Sequence, residues 1–430
     1  MRAAYWRSNP KTLPPAGSNL REAALFIHPM STNPTDSARF AERALSHTQV
    51  LAKSGRGSAT AAEKQAAEYT QSQLKSLGLE DVHMQPFQGL RSIWLFFALA
   101  FGMALVGHAA FWFLRQPLGN VPALIVSLVA FGLSAYLLWC KFTFRDYPLR
   151  TTLPHAPSQN VFAVIPPVGE VRQRLVLVGH LDSQRAVFWF ASNFLVILFA
   201  IAGVVCIYGI FLAIPLYALF VLTHWQIFAW LGLSLAFFHF LGWFTGVTAD
   251  LGQYSPGAND NASAVGTVLA LAERLKLQPL QNTEIWLAFT GCEESGCDGM
   301  LALLKEHGCM LKDALFVDFE LVGIGDSLSY VHEEGNLHRR IIPPAVEALV
   351  NEVGKPYELH PAVTPLIGAS TEGGTLWEFG FKAVCFSAHH QGSPILPEWH
   401  RLTDTPDRLQ VNTLERVHAL AWDLLQRFDQ

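Results

Sequence analysis

The hydrophobic pattern of the chain is dominated by three long stretches without Asp, Glu, Lys or Arg. They span residues 92–114, 121–140 and 186–249. Because a helix needs about 20 apolar residues to cross a bilayer, the first two stretches predict one transmembrane helical hairpin. The third predicts a second hairpin that breaks near Pro215, although three crossings would also fit its length.

Outside these stretches, short β-branched and apolar segments alternate with segments of helical spacing. This alternation predicts an α/β fold with a largely parallel or mixed central sheet flanked by helices. The predicted strands are 160–165, 174–179, 284–290, 314–322 and 382–387, and the predicted helices lie within 37–77, 263–275, 341–353, 375–379 and 411–428.

The two hairpins are expected to be insertions into a single domain. Residues 1–35, rich in Pro, Ser, Asn and Ala, are expected to be poorly ordered. The predicted division is hairpins at 91–140 and 186–249, and one domain assembled from 36–90, 141–185 and 250–430.

Composition fits a membrane protein and argues against several partners. Only 15% of the residues are charged, whereas about 25% is usual in soluble domains. The net charge of −5 gives no indication of a nucleic-acid partner. The six cysteines are scattered and do not resemble a disulfide framework, and no apolar run precedes residue 90, so no cleavable signal peptide is expected.

The basic residues that flank the hairpins predict the orientation. Among them, Arg115 alone lies on the side of the membrane opposite the sheet domain, and the others lie on the domain side. The positive-inside rule therefore favours a cytoplasmic domain in the plasma membrane of a prokaryote. A transporter is disfavoured, because it would be expected to carry charged residues inside the membrane. Of the residue types that fill this role, the three apolar stretches hold only histidines. Those histidines are His108, His224 and His239, and the flanking basic residues on the domain side are Arg91, Lys141, Arg145, Arg150 and Arg185.

Acidic and histidine residues collect where the predicted strands end. Taken singly, each has an ordinary structural role, such as a turn, a cap or a solvated surface residue. Taken together, they provide the nitrogen and carboxylate ligands that zinc binds, at the strand ends where α/β folds form their sites. The residues are His180 and Asp182 in GHLDS, Asp260 in NDNASA, Glu293 and Glu294 in CEESG, Asp318 and Glu320 in LFVDFELVG, and His400 in EWHRLTDTPD.

These motifs, in this order, resemble the di-zinc aminopeptidase family, which includes glutaminyl cyclase and the membrane-bound endoplasmic reticulum metallopeptidases. The resemblance covers residues 37–88 and 160–429 without the apolar stretches, and it implies the zinc-peptidase (phosphorylase/hydrolase-like) fold. It also implies two zinc ions that share Asp260 as a bridging ligand. The implied metal ligands are His180, Asp260, Glu294, Glu320 and His400.

The resemblance further implies two residues that act beside the metals. Glu293 would be the general base, and Asp182 would sit behind His180 and hold its imidazole tautomer. Asp318 is the alternative to Glu320 as a ligand. One segment departs from the family pattern: residues 370–372 read Ser-Thr-Glu where Ser-Asp-His is common. His389 or His390 would contact substrate, or the pair would be a solvated loop.

The implied function is a membrane-anchored di-zinc metallopeptidase, with an aminopeptidase favoured, in which a metal-bridged hydroxide attacks a peptide. A carboxypeptidase, a glutaminyl cyclase and a non-catalytic membrane receptor or scaffold are the alternatives. His180 and Asp260 must share one site, so the stretch between them is expected to cross the membrane an even number of times. The site would then open close to the bilayer. The oligomeric state is left open.

Overall fold

A nine-stranded mixed sheet forms the centre of the part of the chain that the structure describes. The computed structural model describes residues 34–147, 149–364, 370–393 and 395–430. The strand order is β1-β2-β4-β3-β5-β9-β6-β7, with β8 paired to β6. The strands are β1 (Val82–Leu90), β2 (His155–Ile165), β3 (Gln173–His180), β4 (Thr283–Thr290), β5 (Leu315–Phe319), β6 (Ser327–Glu334), β7 (Arg340–Ile341), β8 (His360–Val363) and β9 (Lys382–His389).

The middle of the sheet is parallel, and this positions the site. Strands β4, β3, β5 and β9 are neighbours that run in the same direction, so their carboxyl ends meet at one edge. The helices are α1 (Pro34–Leu51), α2 (Ala61–Ser76), α3 (Trp94–Leu118), α4 (Asn120–Phe142), α5 (Asn193–Thr223), α6 (Gln226–Thr248), α7 (Ser263–Leu277), α8 (Asp298–His307), α9 (Pro344–Gly354), α10 (Glu372–Glu378) and α11 (Val411–Phe428).

Strand β3 shows why the sheet is buried on both faces. Side chains alternate across a strand, so Leu175 and Leu177 pack into one core cluster while Val176 and Val178 pack into another. Helices α1, α2, α7, α9 and α11 contribute to the first cluster, and α8 and α10 to the second. A parallel strand covered on both faces needs an uninterrupted apolar sequence, which explains the run LVLV in β3.

Helices α3 to α6 form a separate four-helix bundle. All four are long and apolar enough to cross a membrane, judged by length and composition alone. Their interfaces include small residues that allow close approach: a Cβ at Gly246 of α6 would lie 2.7 Å from the Trp94 carbonyl oxygen of α3. Gly119, with φ +87°, makes the tight link between α3 and α4.

The two hairpins join the sheet domain at neighbouring points. The Ser92 hydroxyl, just before α3, donates to Asp250 Oδ1 (2.7 Å), just after α6. Arg185 Nε, ahead of α5, lies 3.3 Å from the same oxygen. The residues that begin hairpin 1, begin hairpin 2 and end hairpin 2 therefore lie together, as two insertions that each return to the same side would require.

Several sequence expectations need correction. The predicted break near Pro215 is wrong, because α5 continues through that proline to Thr223 and His224, with φ +60°, makes the turn. The predicted strand 314–322 ends at Phe319. Residues 1–33 of the segment expected to be poorly ordered lie outside the described residues, whereas Pro34 and residue 35 begin α1. Strands β1, β6, β7 and β8 were not predicted.

The helical segment expected within 37–77 is two helices, and the interruption is caused by a close contact. A Cβ at Gly55 would lie 2.3 Å from Tyr254 Cβ, and one at Gly57 would lie 2.0 Å from the Tyr254 ring. Glycine therefore lets Tyr254 pack between α1 and α2. This loop also carries Arg56 into the interior, next to the strand ends.

Candidate metal centre

The acidic and histidine residues singled out in the sequence meet at the carboxyl edge of the parallel strands. His180 ends β3, the Glu293–Glu294 pair follows β4, and Glu320 follows β5. Asp260 lies in the irregular turn before α7, and His400 lies in the loop between β9 and α11. Glu294 is half-buried and the other members of this group are buried. Residues far apart in the chain thus share one enclosed space.

Asp260 lies between two histidines and presents one carboxylate oxygen to each. Its Oδ1 is 3.4 Å from His180 Nε2, and its Oδ2 is 3.3 Å from His400 Nε2. Each histidine has one further close carboxylate: Glu320 Oε2 is 3.4 Å from His180 Nε2, and Glu294 Oε2 is 3.3 Å from His400 Nε2. The site therefore has two halves, His180 with Glu320 and His400 with Glu294, that share Asp260.

Glu293 faces the centre from the His180 half, with its Oε2 3.9 Å from His180 Nε2. Asp182 lies behind it. Its Oδ1 accepts the Glu293 N–H and lies 3.3 Å from His180 Nδ1, and its Oδ2 accepts the Glu294 N–H and the Ser58 hydroxyl. One buried carboxylate therefore fixes both the His180 ring and the backbone of the two glutamates.

Asp318 and Glu320 differ in what they contact. Asp318 Oδ2 accepts the N–H of Gly373 (3.0 Å) in the first turn of α10. Glu320 lies beyond the end of β5, next to Leu321 with φ +51°, and reaches His180. Asp318 therefore belongs to the strand, whereas Glu320 lies outside it, because the predicted strand 314–322 ends at Phe319.

Residues 242–425 match the family model described as peptidase family M28. This segment contains Asp260, the Glu293–Glu294 pair, Glu320 and His400, while His180 lies before it. The resemblance to the zinc aminopeptidases and glutaminyl cyclase that the motifs indicated is thereby confirmed.

Solved structures share the fold at low sequence identity. The zinc aminopeptidase BSAP from Bacillus subtilis is 13% identical over 90% of this chain and 94% of its own, with a TM-score of 0.52. Glutaminyl cyclase from Bacteroides thetaiotaomicron is 12% identical over 90% and 97%, with a TM-score of 0.51. An aminopeptidase from Aneurinibacillus sp. strain AM-1 is 15% identical over 91% and 95%, with a TM-score of 0.50. No curated protein matches the chain significantly.

The site keeps several carboxylates close together in a buried space. Burial, followed by the neighbouring carboxylates, raises the pKa of Glu293 well above its usual value, and burial raises the pKa of Glu320 to about 8. Burial opposes protonation of His400, but the Glu294 and Asp260 carboxylates together outweigh it and raise the His400 pKa to about 9. Within the described residues, the site carboxylates form ion pairs with the two imidazoles and with no lysine or arginine.

This donor set fits zinc. Ligand atoms of His180, Asp260 and Glu294 all lie within 4.8 Å of one another. Glu294 Oε1 is buried and without a hydrogen-bond partner in the described part of the chain. Imidazole nitrogen and carboxylate oxygen are zinc ligands, and M28 peptidases typically bind zinc. A dication would also supply the missing positive charge, because a buried carboxylate is costly unless it is paired or coordinates a metal.

Sequence reasoning missed Arg56, which holds the strand-end loops together. Its guanidinium is buried and donates to the carbonyl oxygens of Leu181 (2.8 Å), Pro256 (2.6 Å) and Gly257 (2.9 Å). Burial lowers its pKa to about 10, so it stays charged at neutral pH. Arg56 thereby connects the loop after His180 to the loop before Asp260. A lone arginine between two glycines gave no sequence signal for this role.

Asp404 supports the backbone on both sides of the Asn259–Asp260 peptide bond. Its Oδ1 accepts the Asn259 N–H (2.7 Å) and its Oδ2 accepts the Asp260 N–H (3.0 Å). Burial raises the pKa of Asp404 to about 7. The available signal was its place in the motif H-x3-DTPD, four residues after His400. The motif therefore carries both His400 and the residue that fixes the backbone of Asp260.

His389 and His390 lie outside this cluster of carboxylates. His389 ends β9, and its Nδ1 is 3.3 Å from the Ser329 hydroxyl. His390 lines a cavity of about 310 Å³ together with Glu398, Arg401 and Arg408. Because Glu398 and Arg401 flank His400 in sequence, this cavity adjoins the loop that carries His400.

We expect Asp404→Ala to destabilise the protein. The change leaves two buried backbone N–H groups without their acceptor, and an unsatisfied buried donor costs about 1–3 kcal/mol. The free energy of unfolding measured by denaturant titration should therefore fall by about 2 kcal/mol, and zinc affinity should fall with it. Asp407→Ala is the matched control, since Asp407 is exposed three residues away. Equal effects of the two variants would contradict this role for Asp404.

Proposed function

We propose that this protein is a membrane-anchored di-zinc metallopeptidase, and specifically an aminopeptidase. The observation that carries the proposal is the Asp260 carboxylate, whose two oxygens face His180 and His400 at 3.4 and 3.3 Å. A bridging carboxylate between two half-sites is the arrangement that a pair of dications needs, because two metals about 3.5–4 Å apart clamp the attacking and departing groups of a hydrolysis.

Each half-site would hold one zinc ion. His180 and Glu320 would bind the first, His400 and Glu294 the second, and Asp260 would bind both. Asp318 is the weaker candidate for the first zinc, because its carboxylate already accepts the N–H of Gly373. Zinc supplies two effects when bound: it polarises the substrate carbonyl and lowers the pKa of a coordinated water to about 7.

Glu293 would be the general base. It would take a proton from the attacking water as the water oxygen bonds to the peptide carbonyl carbon, and then deliver that proton to the departing amine nitrogen as the C–N bond breaks. Asp182 would keep Glu293 in place, because its Oδ1 accepts the Glu293 N–H.

Glu293→Gln is expected to abolish peptide hydrolysis while both zinc ions are retained. The amide keeps the size of the side chain but cannot accept the proton, and general base catalysis contributes about 10²–10⁴-fold. Turnover of a peptide and zinc content per chain would be measured on the same preparation. Normal turnover by the variant would remove the base assignment. Absence of zinc from the unaltered protein at neutral pH would exclude a zinc-dependent enzyme and favour a receptor or scaffold.

The choice of an aminopeptidase is supported by two of the fold relatives, which are aminopeptidases. Another relative is a glutaminyl cyclase, so a cyclase or a carboxypeptidase are the competing activities on the same metal centre. All three would use the same half-sites and differ in which end of the substrate they hold.

Blocking the amino terminus of a peptide separates these activities. An aminopeptidase should lose hydrolysis of an N-acetylated peptide and retain hydrolysis of the free peptide, whereas a carboxypeptidase should cleave both. Product masses would show which terminal residue is released. Cleavage of free and acetylated peptides at equal rates would overturn the aminopeptidase assignment without affecting the metal centre.

Membrane anchoring through two hairpins is supported by the surface of the bundle. Large apolar side chains such as Val129, Phe194, Leu222 and Phe237 point outward on its helices and are exposed. An exposed apolar surface of this kind marks an interaction or membrane site. The basic residues near the sheet domain favour a cytoplasmic location of that domain in a prokaryotic plasma membrane.

A cysteine in the chain tests this orientation directly. Cys309 is exposed, while the other five cysteines are buried. We expect a membrane-impermeant maleimide to label Cys309 in inverted membrane vesicles and not in right-side-out vesicles. Cys309→Ser is the control that assigns the label to this residue. Labelling only in right-side-out vesicles would place the catalytic domain outside the cell.

A further inference from the structure

We propose that the two apolar hairpins hold the His400–Glu294 half of the metal centre in place, through Phe190 and Trp94. This inference rests on the proposed function and extends it to residues outside the M28 motifs. The other half, His180 with Glu320, is held by the sheet domain itself. The hairpins would then be positioning elements of the site as well as membrane anchors.

The first observation is that the two histidines are supported differently. His180 Nδ1 is 3.1 Å from the Asp182 carbonyl oxygen and 3.3 Å from Asp182 Oδ1. Such an acceptor fixes the ring of a metal-binding histidine. In the described residues, His400 Nδ1 is buried and has no hydrogen-bond partner. The Nε2 side of the ring faces Asp260 and Glu294, so the Nδ1 side is held by packing.

That packing comes from the start of hairpin 2. The edge of the His400 ring meets Phe190, with ring centroids 4.7 Å apart and planes at 83°, and Trp399 lies on another side at 4.4 Å. Phe190 is only 2% exposed and sits in the short helix Phe188–Phe190 just before α5. Edge-to-face aromatic pairs contribute about 0.5–1.5 kcal/mol beyond burial, so Phe190 restricts the ring.

Phe190 is itself held by both hairpins. Its ring packs against Phe199 of α5 at 5.5 Å and against Trp94 at the start of α3 at 6.4 Å. Arg401, next to His400, donates to Asn193 Oδ1 at the first residue of α5 (2.5 Å). The loop that carries His400 is therefore fastened to hairpin 2 at two points.

Glu294 is reached from hairpin 1. The Trp94 indole N–H donates to Gln184 Oε1 (3.1 Å), and Gln184 Nε2 donates to Glu294 Oε2 and to the Glu294 carbonyl oxygen, both at 3.1 Å. Lys141 Nζ, near the end of α4, donates to the carbonyl oxygen of Ser295, the next residue (3.0 Å). The start of hairpin 1 thus reaches Glu294 through Gln184, and its end contacts the neighbouring residue Ser295 directly.

The test compares zinc binding by two phenylalanine variants of the full-length protein in lipid nanodiscs. Phe190→Ala should lower the affinity for one of the two zinc ions by at least about tenfold, since loss of a residue that supports a metal ligand costs about 10–100-fold in affinity. Phe188→Ala is the matched control, because Phe188 belongs to the same short helix and is 69% exposed. It should leave both zinc affinities unchanged. Affinities would be measured by competition with a chromophoric chelator.

Two additional readouts distinguish positioning from general damage. Phe190→Leu keeps most of the side-chain volume and should recover most of the lost affinity, and excess zinc should restore turnover to Phe190→Ala. If Phe190→Ala does not fold, Trp94→Phe decides, because it keeps an aromatic ring at this position and removes the indole N–H that donates to Gln184 Oε1. Trp94→Phe should also lower the affinity for one zinc ion and leave the affinity for the other unchanged.

The outcomes separate this inference from the proposed function. Suppose that the unaltered protein binds two zinc ions and that Phe190→Ala binds both with unchanged affinity. The inference is then wrong and the proposed function stands. Trp94→Phe replaces Phe190→Ala in this comparison if the latter does not fold. If a variant loses both ions equally, the hairpins do not act on one half of the site, and the inference is also wrong. If the unaltered protein binds no zinc, the proposed function fails first.

Discussion

The structure depends on keeping several carboxylates buried together without leaving their charge uncompensated. Asp260, Glu293, Glu294 and Glu320 face two imidazoles in a space closed to solvent. A buried charge costs several kcal/mol unless it is paired, so the surrounding groups must act together. Asp182 lies behind this group, where its Oδ1 accepts the Glu293 N–H. Its Oδ2 accepts the Glu294 N–H and the Ser58 hydroxyl. Two dications would complete this balance at the centre, which makes metal binding part of the stability of this region.

Much of this arrangement could be predicted because its signals are local. A charge-free stretch, a β-branched run and a polar residue directly after it are visible in a few consecutive residues. They identified the hairpins, the parallel strands and the ionisable groups that the structure brings together. Parallel order then places all the strand ends at one edge, so residues as distant as His180 and Glu320 could be expected to meet.

What could not be predicted depends on contacts between distant segments. Arg56 acts through carbonyl oxygens of residues 181, 256 and 257, and no pattern near residue 56 encodes them. The same holds for Phe190, which reads as part of an apolar stretch until His400 is seen beside it. Pro215 misled for another reason: neighbouring helices can satisfy the backbone group that a proline frees in an apolar bundle, so α5 continues through it.

The interior of the bundle explains how contacts at its base can be held steady. Tyr217 of α5, His108 of α3 and His239 of α6 form a buried chain, with O···N and N···N distances of 2.6 and 2.9 Å, that ends on the Cys206 carbonyl oxygen at 3.0 Å. If each member donates to the next, every polar atom in the chain is satisfied without a charge. Such bonds join helices where apolar packing gives little preference. Trp94 on α3 and Phe199 on α5 also pack against each other, with ring centroids 6.2 Å apart, and Phe190 packs against both of them. The His400–Glu294 half of the site therefore adjoins a bundle whose helices are hydrogen-bonded to one another.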